Sequence, residues 1–225
     1  SLGLILVETA GAELFTGNNL NIMGYLSKRI TARDLIRIWI IVYVGNFVGG
    51  LLMVSWMYMA HQWEFFHYIT GAKALLIAHK KTTLSFNAAL ARGVLCNALV
   101  CLNVWLCYSG RSMADKALSV LFPIGGFVAS GFEHCVANMY FIPMGIVLRR
   151  NPSVVAAAEE MAGKTLDLSQ LTWKGFFINN LFPVTLGNFV GGVVLVGAVF
   201  WFVYLRPNAG YSPLGVKRDF PEDKT

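Results

Sequence analysis

The chain alternates between long apolar runs and short polar segments, and several of the runs have the length of membrane-spanning helices. Since about 20 helical residues cross the hydrocarbon core of a bilayer, the pattern predicts five spans, at residues 1–26, 35–60, 88–108, 117–148 and 176–205. The polar connections are 27–34, 61–87, 109–116 and 149–175, with a short amphipathic helix expected at 153–162. We therefore predict an all-α polytopic membrane protein.

Two of the predicted spans contain residues that interrupt helices. We expect the first span to be broken at 11–19, and the fourth to be interrupted at Pro123, at 125–126 and at Gly131. A break frees backbone N–H and C=O groups, which are tolerated at membrane depth only where protein or a wet cavity satisfies them. The breaks are therefore candidate positions for a pore.

Two sequence repeats point to a duplicated unit. The hexapeptide GNFVGG at 45–50 returns unchanged at 187–192, and residues 11–18 resemble 131–138. Each copy of the looser repeat has a glycine, an acid two residues later and an asparagine five residues after the acid. Duplicated membrane units with broken helices are typical of transporters and channels. We therefore expect a conduit for a small solute.

The repeats also predict the organisation of the chain. The second repeat, 88–205, has one span before its acidic segment, and the first repeat, 1–60, has none. We expect that one N-terminal helix is left out of this sequence, so that five of six transmembrane helices are present in one pore domain, 1–205. Three spans in each half give an inverted repeat. The excess of basic residues on one side predicts a polar, cytoplasmic tail at 206–225.

Composition supports a membrane protein and argues against other classes. The chain has 56% apolar and 13% charged residues, and its net charge of +6 comes from the loops and the tail. The sequence contains no basic stripe interleaved with aromatic residues, so we expect no nucleic-acid partner. The four cysteines lie in apolar runs without a CxxC motif, which favours small buried side chains over metal ligands. We predict no metal site and no cofactor.

Glu133 and His134 are the strongest candidate functional residues, because ionisable groups inside a membrane span are costly and usually functional. A half-helix N-terminus beside Gly131 offers positive potential to an anion, and His134 can transfer a proton near neutral pH. Glu133 can instead cap the broken helix, as Glu13 would in the first repeat. His134 has no such counterpart, because Leu14 occupies its place.

Four further polar residues lie at membrane depth. Asn46 and Asn188 recur with their glycines, which fits either close helix packing or a role in the pore. Asn97 lies in the middle of a predicted span and needs a hydrogen-bond partner. Thr16 lies beside the first break and can supply a hydroxyl group there.

The chain resembles the formate/nitrite transporter family from Ser1 to about Arg206. The segments that carry the resemblance are SLGLIL at 1–6, GAELFT at 11–16, YSGRS at 108–112, ASGFEH at 129–134, ANM at 137–139 and PVTLGN at 183–188. The resemblance implies a homopentamer of aquaporin-like protomers in the bacterial inner membrane. Each protomer would have its own pore for formate and related monovalent anions.

The resemblance also implies roles for individual residues. His134 falls on the central pore histidine of the family and Thr16 on the threonine near it. The break at Leu14, Phe15 and Thr16 corresponds to a loop proposed as a gate. The remaining matches are apolar constrictions at Leu4, Leu14, Val100 and Phe127, and substrate-path positions at Lys81, Asn97 and Asn188. The family's first helix, and a constriction aromatic just before Ser1, have no counterpart in this sequence.

We expect formate to cross as transient formic acid, protonated by or through His134. A bare carboxylate in an apolar constriction costs tens of kcal/mol. A nitrite or hydrosulfide channel of the same family is the alternative. A neutral-solute pore of the aquaporin type is disfavoured because the only Asn-Pro pair is Asn151-Pro152, in a loop. An enzyme built on Glu133 and His134 is disfavoured because neither HExxH nor GxSxG is present.

Overall fold

The computed structural model describes residues 2–206, and over that range it consists of helices and loops without a strand. Three helices are long and apolar enough to cross a membrane: Ala32–Met59, Phe86–Ser109 and Gly175–Leu205. The prediction of an all-α membrane fold is confirmed. The predicted tail lies outside the described residues from 207 onwards.

The helices are numbered in chain order. They are α1 (Leu2–Ala10), α2 (Phe15–Asn18), α3 (Ile22–Leu26), α4 (Ala32–Met59), α5 (Ile69–Thr82), α6 (Phe86–Ser109), α7 (Met113–Ala129), α8 (Cys135–Leu148), α9 (Pro152–Ala162) and α10 (Gly175–Leu205). Single 3₁₀ turns lie at Asn19–Asn21 and Gln62–Glu64. Much of α10 has the wider hydrogen bonding of a π-helix.

The two breaks lie at the glycines of the looser repeat. Gly11 and Gly131 have φ values of +72° and +66°, a region that glycine enters without steric cost. The predicted span 1–26 is accordingly divided into α1, α2 and α3, and the predicted span 117–148 into α7 and α8.

The interruption predicted at Pro123 and at 125–126 is wrong, because α7 continues through these residues to Ala129. Proline removes one backbone hydrogen bond, but ending the helix there would free several more polar groups at membrane depth. A proline within a span is therefore a weaker signal for a break than a glycine in the left-handed region.

The segment 61–87 was predicted as a polar connection, and it contains the 14-residue helix α5. This helix packs against α8 and α9. Its inner face carries Ala72, Leu75 and Ala78, which are wholly buried. The predicted helix at 153–162 is observed as α9.

Helix α10 packs so closely against α6 that the backbones of the two helices are in contact. A Cβ atom at Gly187 would collide with the carbonyl oxygen of Leu90, and one at Gly191 with that of Val94. The counterparts of these glycines in the first hexapeptide, Gly45 and Gly49, have no such neighbour within 4 Å among the described residues. They line an open groove of about 570 Å³ between α4 and α8. The first two glycines of the motif are therefore packed in the second copy and open in the first, whereas Gly50 of the first copy approaches the backbone of Met139.

We expect Gly191→Ala to destabilise the protein by about 1–3 kcal/mol, because the added methyl group pushes α10 away from α6. Gly49→Ala is the matched control in this 225-residue chain, since its methyl group meets no neighbour. The measurement is the thermal unfolding midpoint of each variant in detergent. Equal midpoints for Gly191→Ala and the parent chain would contradict the close packing.

Candidate functional site

The first helix break is held together by Asn46 of α4. Its Oδ1 atom accepts a hydrogen bond from the backbone N–H of Phe15 at 2.9 Å. Its Nδ2 atom donates to the carbonyl oxygen of Glu13 at 3.0 Å. One side chain therefore satisfies backbone groups on both sides of Leu14.

Asn188 of α10 repeats this arrangement at the second break. Its Oδ1 atom accepts from the N–H of Cys135 at 2.9 Å, and Nδ2 donates to the carbonyl oxygen of Glu133 at 2.9 Å. Nδ2 also donates to the carbonyl oxygen of Gly93 on α6 at 2.8 Å. The sequence did not distinguish between a role of the two asparagines in helix packing and a role in the pore. In the structure, both side chains form hydrogen bonds with the backbone of the broken helices.

The two repeated glutamates have different surroundings. Glu13 is exposed and accepts from Asn18 Nδ2 at 2.5 Å. Glu133 is 3% exposed. Its Oε1 atom accepts from Lys81 Nζ at 2.8 Å, and the ion pair they form is inside the protein. Among residues 2–206, the glutamate of the second repeat therefore has a buried ion-pair partner and that of the first repeat does not.

Two further asparagines complete this ion pair. Oε2 of Glu133 accepts from Asn138 Nδ2 at 2.7 Å and from Asn180 Nδ2 at 3.1 Å. Asn180 Nδ2 also donates to the carbonyl oxygen of Lys81 at 3.0 Å, and its Oδ1 accepts from Asn138 at 2.6 Å. Each amide nitrogen thus makes two hydrogen bonds. A buried ion pair needs such partners to offset the cost of desolvation.

His134 is the N-cap of α8. Its Nδ1 atom accepts a hydrogen bond from the backbone N–H of Ala137 at 3.1 Å. Because a backbone N–H can only donate, Nδ1 has no proton, and the neutral ring has its proton on Nε2. Nε2 lies 2.9 Å from Thr16 Oγ1 and donates to it. The ring of Phe127 lies alongside, with centroids 6.0 Å apart and planes 22° apart.

A cavity of about 270 Å³ opens in front of His134 and Glu133. We call it the basic vestibule because Lys80, Lys81 and Arg92 line it. Glu133 neutralises Lys81, and Lys80 and Arg92 remain to attract an anion. No group of three metal-ligating side chains occurs among residues 2–206.

The predicted constriction residues Leu4, Leu14, Val100 and Phe127 lie in one apolar cluster. Leu4 and Val100 are buried there with Val120 and Ile124 of α7, and Leu14 and Phe127 pack against them. Through Phe127 this cluster reaches the ring of His134. We call it the constriction cluster.

The vestibule lining and the constriction cluster both leave out the predicted site residues Phe15, Asn97 and Asn188. Phe15 belongs to the larger core, where its ring is 4.8 Å from that of Tyr43. Asn97 donates to the backbone carbonyl oxygen of Asn188 at 2.7 Å, which supplies the partner it needs. Asn188 itself binds backbone, as described above.

The sequence did not single out Asn138, Asn180, Lys80 or Arg92 as site residues. Asn138 had a detectable signal, because it is the asparagine five residues after the acid in the looser repeat. Lys80 and Arg92 were visible only as charges at the ends of apolar runs. Asn180 had no signal, since nothing in the sequence associates it with Glu133.

Comparisons with known proteins identify relatives of this chain. A family model described as formate/nitrite transporter matches residues 1–202. The formate channel FocA of Escherichia coli K12 is 44% identical over 213 residues, covering 92% of this chain and 73% of the relative. FocA of Haemophilus influenzae is 42% identical, covering 88% and 69%. A solved pentameric formate channel with formate bound has 40% identity and a TM-score of 0.79, covering 91% and 80%.

We expect Glu133→Gln to destabilise the protein by about 3 kcal/mol, because it leaves the Lys81 ammonium buried without its counter-charge. Lys81→Met should cost a similar amount, and the double variant should cost less than the sum. Unfolding midpoints of the two single variants and the double variant measure this coupling. Glu13→Gln is the matched control, since Glu13 is exposed; additive effects of the first pair would argue against the ion pair.

Proposed function

The chain belongs to the formate/nitrite transporter family, and from this premise we propose that it conducts formate across the bacterial inner membrane. The relatives named above are formate channels, and the solved relative has formate bound. Their names describe channels, which supports a function without catalysis. A homopentamer is proposed on the same ground, because the solved relative is pentameric.

We propose that residues 1–205 form one pore domain, with repeats at 1–60 and 88–205 and the tail from 206 on the cytoplasmic side. Support comes from the matching bonds of Asn46 and Asn188 at the two breaks. The long helix α4 supports a membrane location, because its apolar side chains are largely exposed and suited to lipid or neighbouring subunits.

The observation that supports formate conduction most directly is the position of His134. It lies where the basic vestibule meets the constriction cluster, with Thr16 on one nitrogen and the cap of α8 on the other. We propose that Lys80 and Arg92 concentrate formate in the vestibule. The anion then reaches Nε2–H of His134, which can donate a hydrogen bond to it in place of Thr16.

A proton is needed for the next step, because a bare carboxylate in the constriction cluster costs tens of kcal/mol. We propose that the ring takes up a proton from water at Nδ1 while formate is bound at Nε2, and that the later loss and regain of protons that restore the ring are also exchanges with water. The hydrogen bond from Ala137 opens, at a cost of about 1 kcal/mol for a lost cap. The Nε2 proton then passes to formate and leaves a neutral ring protonated at Nδ1. Formic acid crosses, and loss of the Nδ1 proton with reprotonation at Nε2 restores the cap.

Nitrite or hydrosulfide is the second candidate substrate, because the family model includes nitrite transporters. These anions are also small and monovalent, and the basic vestibule would attract them in the same way. Comparison of their fluxes with that of formate in one preparation distinguishes the candidates.

We expect His134→Asn to abolish the acidification that accompanies formate entry, because asparagine keeps the helix cap but has no transferable proton. The measurement uses proteoliposomes of the full-length protein, loaded with a pH-sensitive dye and given an external formate pulse. Nitrite, hydrosulfide and chloride pulses, and protein-free vesicles, are the controls. Unchanged acidification in His134→Asn would reject the proposed proton transfer, and none in the parent protein would reject the formate pathway.

A further inference from the structure

Asn103 is a buried amide in α6 that the steps above do not use. It lies three residues after Val100 and four before Cys107, so one face of the helix carries all three. Val100 and Cys107 belong to the constriction cluster with Leu4. Asn103 itself is fully buried. Its side chain is therefore a polar group on an otherwise apolar face.

The amide of Asn103 is poorly satisfied within the protein. Among residues 2–206, its Oδ1 atom has no hydrogen-bond partner. Its Nδ2 atom contacts only Cys107 Sγ, at 4.0 Å, and a thiol sulfur is a weak acceptor. By contrast, Asn97, which lies on a different face of α6 from Asn103, donates a hydrogen bond to the backbone carbonyl oxygen of Asn188 at 2.7 Å. A buried amide with an unpaired oxygen and only a weak acceptor for its nitrogen contributes little to stability.

Asn103 lies within the stretch of α6 that contributes to the constriction cluster, between Val100 and Cys107. Arg92, near the start of the helix, lines the basic vestibule. At 1.5 Å per residue, Asn103 lies about 16 Å further along the helix axis, with Val100 between them. Beyond it, Cys107 belongs to the same cluster, about one helical turn further from the vestibule. The amide therefore lies inside the constriction cluster, on the side of Val100 that is further from the vestibule.

We infer that Asn103 is a second binding position in the pore and that it is selective for the neutral acid. This inference rests on the proposed function. A carboxylic acid has one O–H donor and one carbonyl acceptor, and a primary amide offers the complementary pair. Formic acid can donate to Oδ1 and accept from Nδ2 at the same time. A formate anion has only acceptors, so Oδ1 would repel it.

This chemistry gives Asn103 a distinct role from His134. His134 lies at the vestibule end, where the anion gains its proton. Asn103 binds the acid inside the constriction cluster, after it has passed Val100 and before it loses the proton at the far end. Conduction requires sites that bind strongly enough to be entered and weakly enough to be left. Two neutral hydrogen bonds in a single position satisfy that requirement.

The test uses Asn103→Leu, which keeps a similar volume and removes both hydrogen-bonding groups. We expect the initial rate of formate-driven acidification to fall about tenfold, because a factor of ten corresponds to the free energy of roughly one net hydrogen bond. We expect the thermal midpoint to stay equal or to rise, because an unsatisfied buried amide has been removed. Asn103→Ala, which cannot overpack the site, is the second variant and decides the question if Asn103→Leu does not fold.

Val104→Ala is the matched control. Val104 is the next residue on α6, and it packs in a separate cluster with Leu20 and Val196. We expect a lower midpoint and an unchanged rate per folded protein. A lower midpoint for Asn103→Ala with an unchanged rate would show that Asn103 is scaffold and overturn the inference alone. A parent protein that does not acidify the vesicles would instead reject the proposed function, and this inference with it.

Discussion

Every broken helix at membrane depth must have its freed backbone groups bonded by protein, because the hydrocarbon core offers no water to replace them. Here one asparagine from a neighbouring long helix does this at each break. Asn46 bonds the backbone of Glu13 and Phe15, and Asn188 bonds that of Glu133 and Cys135. Without these amides, two backbone groups at each break would lose their hydrogen-bond partner. The position of His134, which caps the half-helix after the second break, depends on them.

The glycines of the hexapeptide make this bonding possible. Gly187 and Gly191 bring α10 against the backbone of α6, and that approach allows Asn188 to reach the carbonyl oxygen of Gly93 as well as the break. In the second repeat, the close approach of α10 to α6 therefore provides both the helix packing and the hydrogen bonds that Asn188 makes. The carboxylate of Glu133 is held on the vestibule side of the same break, where Lys81 offsets its charge.

Much of the fold could be predicted, because apolar runs and glycine breaks are encoded in neighbouring residues. The span with two half-helices followed from the Gly-x-Glu repeat, and the length of α4 from its apolar run. Helix α5 was missed because its apolar face is short and ends in basic residues. Asn180 reaches Glu133 across 47 positions of sequence, and only the folded chain brings them together. The interruption expected at Pro123 failed because local propensity is weaker than the cost of unpaired backbone at membrane depth.

Buried asparagines of the described chain differ in how completely their amide nitrogens are bonded. Asn138, Asn180 and Asn188 use their amide nitrogens fully within the protein, so they are committed to the scaffold. Asn103 has almost no bond of its own among the described residues. A pore for an acid needs this second kind of group, because an amide nitrogen that already makes two hydrogen bonds has no N–H left to donate to a permeating molecule. The free energy lost by an unsatisfied amide in the empty pore is then recovered whenever the acid is bound, which favours occupancy of a site that is otherwise apolar.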